Sequence, residues 1–412
     1  MTSASIQPVE PGNEPPVTTQ QAHRIANDRG AIETAKRLAE EFVKGASARD
    51  RERQLPHAEL EALSQSGLLA ITVPREFGGI DVKAATLAEV TAILSEADAS
   101  IGQIPQNHFY ILEALRIDGT RDQQAFFFDR ALQGDRFGNA LSEKGTKTVA
   151  HYNTRIVPDG SRYRINGRKF YSTGVLFADW VVIFANDHEE RITMSFVPRD
   201  TPGLTLVDDW SGFGQRTTGS GTTIIADVIV EAHAVVQHHK GFDRPSTIGS
   251  VGQIIHAGVD LGIARAALKE TIDFVRTKSR PWMDSGVERA SEDPHTIGRI
   301  GDLAIRIDAA TALLARSGDL VDTAKADPSE ENVIAASLSV AGAKVLTTEA
   351  ALQATNVLFE LAGTSSTHTN LNLDRHWRNA RTHTLHDPVR WKYHVVGNYL
   401  LNDVAPPRHG AL

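Results

Sequence analysis

The sequence predicts an α+β fold, with helical regions at both ends and a region of short strands between them. Apolar residues recur every three or four positions from Ile32 to Phe42, which is the period of an amphipathic helix. Short apolar or alternating segments separated by Gly- and Asp-rich turns follow between Phe137 and Val236. Long alanine-rich helical patterns return from about Ser246. A chain of 412 residues can form two or three units with cores of their own.

The first part of the chain is predicted to be a tail followed by helices. Residues 1–30 hold several prolines, Gln and Thr without an apolar period, so we predict a flexible N-terminal tail. Residues 31–134 are predicted to form an α-helical domain. Its expected helices cover Ile32–Phe42, Leu60–Leu63, Thr86–Ala97 and Phe109–Arg116.

The middle of the chain, residues 135–245, is predicted to form a small β-barrel. Tyr163 and Ile165 alternate with arginines ahead of Asn166-Gly167, the dipeptide most typical of a tight hairpin. Trp180–Ala185 is a continuous apolar run typical of a buried strand. No Gly-x-Gly-x-x-Gly helix start occurs, so a dinucleotide-binding Rossmann unit is not predicted.

Residues 246–402 are predicted to form a four-helix bundle, followed by a C-terminal tail at residues 403–412. Pro328-Ser329 opens a long helix that should end at Gly363. The apolar stripes of these helices extend along their whole length, so we expect bundles from several subunits to pack together in a homotetramer.

Composition limits the classes of function. Hydrophobic and charged fractions of 41% and 23% are typical of globular proteins. No apolar stretch approaches 18 residues and no secretory signal is visible, so we expect no membrane partner and a cytoplasmic location. The net charge of −8 argues against a nucleic-acid partner. Cysteine is absent and methionine occurs three times, which fits compositional drift, selection under sulfur limitation, or protection from peroxide.

The segment from Arg375 to Pro388 carries three arginines and three histidines within fourteen residues. One interpretation is a solvated basic turn that pairs with the acidic residues the chain has in excess. The other is a functional site, because so many donors are costly to hold inside a domain unless an anion or a reacting group lies opposite.

Four separated segments resemble signatures of the acyl-CoA dehydrogenase family: Gly67–Gly79, Lys169–Gly174 with Ala178–Trp180, Gly212–Ser220 and Leu261–Ala267. The resemblance runs from about Ile32 to Asn402 and implies that family's fold. Other segments resemble its oxygen-using branch, the dibenzothiophene monooxygenases and the bacterial sulfur-acquisition oxidoreductases: Gln103–Tyr110, Asp208–Trp210, Arg280–Trp282, His386–Pro388 and Trp391–His394.

That branch implies a two-component monooxygenase. Reduced FMN would come from a separate NAD(P)H-dependent flavin reductase and react with O2 to a C4a-hydroperoxyflavin, which would oxygenate a small organosulfur compound. The alternative is an FAD-dependent acyl-CoA dehydrogenase. Two departures put it in doubt: His386-Asp387-Pro388 replaces the family's catalytic glutamate motif, and Ser142–Lys147 replaces the Gly-Ala-Gly-Ser-Asp run that helps to hold coenzyme A.

The resemblance also implies residues that bind the flavin. Thr173 is expected to face the flavin ring, with Asn139 and Ser142 as further ring contacts. Arg378 and Arg280 are candidates for the phosphate, and Arg280 would come from a neighbouring subunit. Without the resemblance, Thr173 would read as an ordinary strand-edge threonine and the arginines as surface ion pairs.

His386 is our candidate for the active-site acid–base residue. Asp387-Pro388 has the form of a helix start, with Asp387 as N-cap, and the helix dipole would then favour a neutral His386. His108 is the second candidate, although a histidine beside aromatic residues is often a satisfied core residue. His383 lies three residues before His386, but no helix with metal-ligand spacing is evident, so no metal is expected.

Overall fold

The computed structural model of the protein describes residues 21–412. Most of the predicted N-terminal tail, residues 1–20, therefore lies outside the described residues. The chain continues as six helices: α1 (Asp28–Glu52), α2 (His57–Gln65), α3 (Ala84–Ala97), α4 (Ala99–Gln103), α5 (Gln106–Asp118) and α6 (Arg121–Leu132). The Asn27 side chain caps α1, and Thr120 with Gln123 forms a capping box on α6.

The central region is one eight-stranded sheet. Its strands are β1 (Phe137–Ala140), β2 (Arg155–Asp159), β3 (Arg162–Lys169), β4 (Trp180–Asn186), β5 (Ile192–Pro198), β6 (Leu204–Val207), β7 (Thr222–Glu231) and β8 (Val235–Val236). The strand order is β6-β7-β3-β2-β4-β5-β8, and β1 pairs in parallel with β4. The end of β1 also contacts the loop that follows β3, where the Asn139 N–H points at the Thr173 carbonyl.

The hairpin predicted at Asn166-Gly167 is wrong. The turn between β2 and β3 is at Gly160, whose φ is 65°. Asn166 and Gly167 lie inside β3, where the pairing with β7 shifts register between Ile165 and Gly167. A side chain at Gly167 would lie 2.2 Å from the Thr154 hydroxyl, so this glycine marks a bulge with close packing rather than a turn.

Helices return after the sheet, as α7 (Lys240–Asp243), α8 (Ile248–Thr277), α9 (Pro294–Ala326), α10 (Glu330–Ala362), α11 (Asp374–His383) and α12 (Arg390–Asn402). The long helices α8, α9 and α10 pack against one another, and α3 packs along α8 and α9. Ser329 caps α10, which ends before Gly363 as predicted. The α+β fold class is confirmed, while the division at residues 31–134, 135–245 and 246–402 remains our proposal.

The last residues pack against the helices. Leu412 is buried, its carbonyl oxygen lies close to Gly249 of α8, and the Lys392 ammonium of α12 donates to the Ala411 carbonyl. Among the described residues, α10 is the one helix long and apolar enough to cross a membrane, but over half of its most apolar window is buried within the protein. A core helix passes that test equally well.

Candidate active site

Thr173, just after β3, belongs to a row of three hydrogen-bonded hydroxyl groups. The Thr173 hydroxyl is buried and lies 2.7 Å from that of Ser220, which lies 2.7 Å from that of Thr218. Thr218 in turn donates to the Gln215 backbone carbonyl. Thr173 is thus an interior residue at the junction of two loops, not a solvent-facing strand edge.

Asn139 and Ser142 lie beside the same loop. The Asn139 backbone N–H points at the Thr173 carbonyl at 3.4 Å, and the Ser142 carbonyl accepts from the Phe170 N–H at 2.9 Å. Asn139 is buried, whereas Ser142 is partly exposed. The structure therefore brings together the three residues expected to contact the flavin ring.

Buried polar atoms near this junction lack partners among the described residues. They are Ser172 Oγ, Thr382 Oγ1, and both amide atoms of Gln215. Leaving such atoms unpaired is costly, so they mark places where a ligand completes the hydrogen bonding. The pyrimidine edge of a flavin offers donors and acceptors together and fits the Gln215 amide. Sequence reasoning missed Gln215, although it lies within the Gly212–Ser220 segment that carried the resemblance.

Helix α11 links this junction to the histidine segment. The Asn379 side-chain oxygen Oδ1 accepts from the Gln215 backbone N–H at 2.7 Å. A side chain at Gly214 would lie 1.9 Å from the Arg378 carbonyl oxygen, so the glycine allows the loop to rest directly on α11. Three residues beyond the end of α11 the chain reaches His386.

The His386 ring is held from two sides. Its Nδ1 atom lies 3.2 Å from the Asp387 carboxylate, and its ring lies against that of His256, with centroids 4.0 Å apart and the planes tilted by 37°. The side chain is 45% exposed, so it can exchange protons with solvent while one face stays fixed.

The predicted N-cap at Asp387 is wrong. Helix α12 begins at Arg390, and no side chain caps it. The Asp387 carboxylate instead accepts from His386 and from the Gln253 amide at 2.9 Å. Burial by itself would raise the pKa of Asp387, but His386, His256 and Lys392 together outweigh it, and the pKa lies well below the usual value. The charged group that acts on His386 is therefore this carboxylate rather than a helix dipole.

The hydrogen bonds of His108 hold it in the core and do not fit the acid–base role expected for it. Its Nδ1 accepts from the Phe137 N–H at 3.1 Å, so the proton lies on Nε2, which donates to the Leu69 carbonyl at 2.8 Å. Burial lowers the pKa of His108 to about 4. The ring also stacks on Phe137. With both nitrogens bonded to backbone, His108 has none left for proton transfer.

Arg378 is also used internally, so its expected role at the flavin phosphate is not supported. Its five N–H groups all have acceptors within the chain: the carboxylates of Asp50 and Asp374, the Phe213 carbonyl and the Asn372 amide oxygen. The other phosphate candidate, Arg280, is exposed beyond the end of α8. It stays a prediction that depends on a neighbouring subunit.

Much of the basic segment is paired with acidic residues, as the first interpretation of it required. Arg375 and His376 both contact the Glu270 carboxylate, at 2.7 and 2.9 Å. His383 is hydrogen-bonded to Asp260 inside the protein. The segment is nevertheless not a solvated turn, because His376 and His383 are buried. Of the three histidines in the segment, only His386 retains the exposure that a reacting group needs.

His256, His386 and Asp387 each bring a potential ligand atom within 4.8 Å of the other two. That spacing would suit a metal ion. The Asp387 carboxylate, however, is already bonded to His386 and Gln253. The expectation of a metal-free protein stays a prediction.

The segment that replaces the family's coenzyme A motif, Ser142–Lys147, is held in place by Glu143. Its carboxylate accepts from the backbone N–H groups of Asn153 and Thr154 and from the buried Lys169 ammonium at 2.8 Å. Burial alone would raise the pKa of Glu143, but Lys169 and these N–H groups lower it to about 2. The Glu143 carboxylate therefore serves this loop internally.

Three family models match successive parts of the chain. Models of the acyl-CoA dehydrogenase N-terminal, middle and C-terminal domains match residues 27–135, 138–228 and 254–391. A dibenzothiophene monooxygenase of Rhodococcus erythropolis is 34% identical, over 93% of this chain and 96% of the relative. A probable FMNH2-dependent monooxygenase of Pseudomonas putida, SfnC, is 31% identical, over 92% and 96%.

A solved structure agrees over nearly the whole chain. FMN-bound TdsC from Paenibacillus sp. A11-2 superposes with a TM-score of 0.88 at 30% identity, covering 93% of this chain and 100% of TdsC. With sequence and structure in accord, the chain belongs to the acyl-CoA dehydrogenase family and, within it, to the branch that contains the dibenzothiophene monooxygenases.

Proposed function

We propose that the protein is the oxygenase of a two-component flavin-dependent system. It would take reduced FMN from a separate NAD(P)H-dependent reductase and use O2 to oxygenate an organosulfur compound. The similarity to a dibenzothiophene monooxygenase, to a probable FMNH2-dependent enzyme and to FMN-bound TdsC supports this reaction and FMN as the cofactor. One oxygen atom of O2 would go to sulfur, and the other would leave as water after two electrons and two protons are supplied.

The observation that carries the proposal is the environment of His386. By sequence resemblance, the His386 imidazole lies where the family's dehydrogenases carry a glutamate. It is half-exposed, fixed on His256 and bonded to Asp387. Such a group can deliver and recover a proton near neutral pH. The neighbouring carboxylate is a poor base for dehydrogenation, because its lowered pKa keeps it ionised and bonded.

The residues around Thr173 would hold the cofactor. When bound, reduced FMN supplies the electrons that activate O2. The hydroxyls of Thr173 and Ser220 and the Gln215 amide would orient its polar edge. The buried junction between the sheet and α11 would keep water away from that edge. Asn139 and Ser142 are proposed as further contacts.

A reductase-dependent assay tests the reaction. Oxygen uptake is measured with NADH, a flavin reductase and FMN, against a panel that includes an alkyl sulfinate, a sulfone and an aromatic sulfide. We expect oxygenated product from at least one class, and only with the reductase present. Purified protein that retains FAD and reduces a dye with an acyl-CoA would instead show the alternative, a dehydrogenase.

We further propose that the protein is a cytoplasmic homotetramer. Large apolar side chains remain exposed on one chain, namely Leu400, Leu401, Trp282 and Met283, at 68–82% exposure. Exposed apolar groups of this size mark contact surfaces, and Trp282 and Met283 directly follow Arg280, which needs a neighbour to reach a flavin. Size-exclusion chromatography with light scattering would contradict the proposal by showing a monomer.

A further inference from the structure

A chain of buried polar side chains runs from α10 through α8 and α11 towards His386. The Lys344 ammonium and the Thr348 hydroxyl bind the Asp260 carboxylate, which also accepts from His383 Nδ1. His383 Nε2 lies 3.1 Å from His256 Nδ1. All of these side chains are buried. Nothing in the proposed reaction has so far used them.

The chain fixes the tautomer of each imidazole. Burial would raise the pKa of Asp260, but the Lys344 ammonium and the hydrogen bond from His383 lower it and keep the carboxylate ionised. An ionised Asp260 can only accept, so His383 carries a proton on Nδ1. Burial lowers the pKa of His383 and of His256, which favours the neutral form of both rings. His383 Nε2 is then an acceptor, and His256 must donate from Nδ1 and carry a bare Nε2.

The tautomer of His256 decides what its second nitrogen presents to Asp387 and His386. Ligand atoms of the three residues lie within 4.8 Å of one another, so a proton on His256 Nε2 would add a second N–H to this cluster. A bare Nε2 cannot donate, and the contacts of the carboxylate are with His386 and Gln253.

We propose that His256 is a positioning residue for His386. The hydrogen bonds from Asp260 through His383 fix the tautomer of His256, and the His256 ring fixes the plane and the hydrogen bond of His386. The inference rests on the proposed function for its effect on catalysis, but not for the tautomer itself. His256 does not need to touch substrate or flavin. Its role is to keep the His386 nitrogen that faces away from Asp387 available in one orientation.

Several charged groups face this cluster and belong to any pH dependence. Lys344 approaches from α10, and His383 from α11. The turn after α11 contributes His386 and Asp387, and α12 contributes Lys392, whose pKa burial lowers to about 8. The nearest cations, Lys344 and Lys392, are each matched by a carboxylate, Asp260 and Asp387. A neutral His256 between two matched pairs is therefore the consistent arrangement.

The tautomer can be measured without any turnover. Apoprotein labelled with ¹⁵N at histidine is examined by solid-state NMR, and the His256 signals are assigned by their loss in H256Q. We expect a protonated Nδ1 and a bare Nε2 for His256. A protonated Nε2 in the wild-type apoprotein overturns the proposal, whether or not the protein is an oxygenase.

Two substitutions of His383 then test the consequence. His383→Gln keeps a donor for Asp260 and an acceptor for His256, whereas His383→Leu removes both. We expect the leucine variant to show mixed His256 tautomers and about tenfold less product per O2 consumed, with a displaced pH–rate profile. The glutamine variant should keep the wild-type tautomer and most of the coupling.

The comparison separates positioning from mere stability. Equal losses in His383→Gln and His383→Leu, or an unchanged coupling ratio in the leucine variant, would contradict a positioning role. If the leucine variant does not fold, the wild-type and glutamine spectra still decide the tautomer. If the wild type yields no oxygenated product, the proposed function fails while the NMR result stands on its own.

Discussion

The His386 side chain combines exposure with restraint. One nitrogen is bonded to Asp387 and one ring face lies on His256, while 45% of the side chain remains accessible. A proton carrier needs such an arrangement, because it must exchange its proton between turnovers and hold one geometry during them. None of the other histidines expected at the site has both properties.

Removal of the imidazole should separate oxygen use from product formation. We expect His386→Gln to lower product formation at least about 100-fold, the usual contribution of a general acid–base group, while FMN-dependent oxygen uptake continues and peroxide accumulates. The matched control is His188→Gln, at an exposed histidine whose ring lies 3.4 Å from the Glu189 carboxylate. Product is quantified per O2 consumed. Equal product yields from His386→Gln and wild type would contradict the assignment.

The buried environment of His108 leads to a prediction about stability rather than catalysis. Burial lowers its pKa from 6.5 to about 4. Below pH 6.5 the unfolded chain binds a proton at His108, whereas the folded protein binds it only near pH 4. The free energy of unfolding therefore falls as the pH is lowered from 6.5 to 4. The shift corresponds to about 3 kcal/mol. His108→Gln should therefore flatten the fall in Tm between pH 7 and 4.5, and parallel Tm curves would contradict this environment.

The residue types at the site could be predicted from the sequence, but their partners could not. Thr173, Asn139 and Ser142 lie together because a local motif and a strand pairing place them there. His108 and Arg378 were misassigned because their hydrogen-bond partners, such as Leu69 and Asp50, are distant in sequence. An arginine with five satisfied donors looks the same in a sequence as one with five free donors.

At the scale of elements, α11 positions the site by joining three parts of the fold. Arg378 ties it to α1 through Asp50, Arg375 ties it to α8 through Glu270, and Asn379 holds the Gly212–Ser220 loop. A shift of α11 would move Gln215 and His386 together. The helix therefore connects the proposed cofactor residues to the proposed proton carrier.

Loss of the Arg378 ion pair should reduce stability more than flavin affinity. We expect Arg378→Gln to lower the free energy of unfolding by about 3 kcal/mol, because Asp50 loses its partner in a largely buried setting. Unfolding is followed by differential scanning fluorimetry and FMN binding by fluorescence titration well below the Tm. The control is Arg29→Gln, which breaks an exposed pair with Glu33.

The opposite result would restore the role expected from the sequence. A large loss of FMN affinity in Arg378→Gln with an unchanged Tm would mean that the guanidinium leaves Asp50 to bind the phosphate.

Element types were predictable where the signal is local. The Ser329 cap and the Gly363 stop of α10 depend on neighbouring residues only, and both are as expected. The hairpin at Asn166-Gly167 was wrong because packing against Thr154 and pairing with β7 gave that glycine a different use. Likewise Asp387 caps no helix: its Oδ2 atom is bonded to Gln253 of α8 and to His386. Tertiary partners decided both cases.

At the scale of the whole molecule, a scaffold shared with dehydrogenases would serve oxygen chemistry through two local changes. An imidazole stands in place of the glutamate motif, and Glu143 occupies the loop that corresponds to the coenzyme A contact and bonds internally to Lys169. The rest of the fold, from α1 to α12, superposes on FMN-bound TdsC with a TM-score of 0.88. We therefore expect the function to depend on few side chains in a shared architecture.

The origin of the oxygen in the product tests this account most directly. The protein is supplied with FMN, a flavin reductase, NADH, a turned-over organosulfur substrate and ¹⁸O2, and the product is analysed by mass spectrometry. We expect one ¹⁸O atom in each product molecule, with no labelled product when the reductase is omitted. Product without ¹⁸O, or no sulfur product alongside oxidation of an acyl-CoA, would contradict the account.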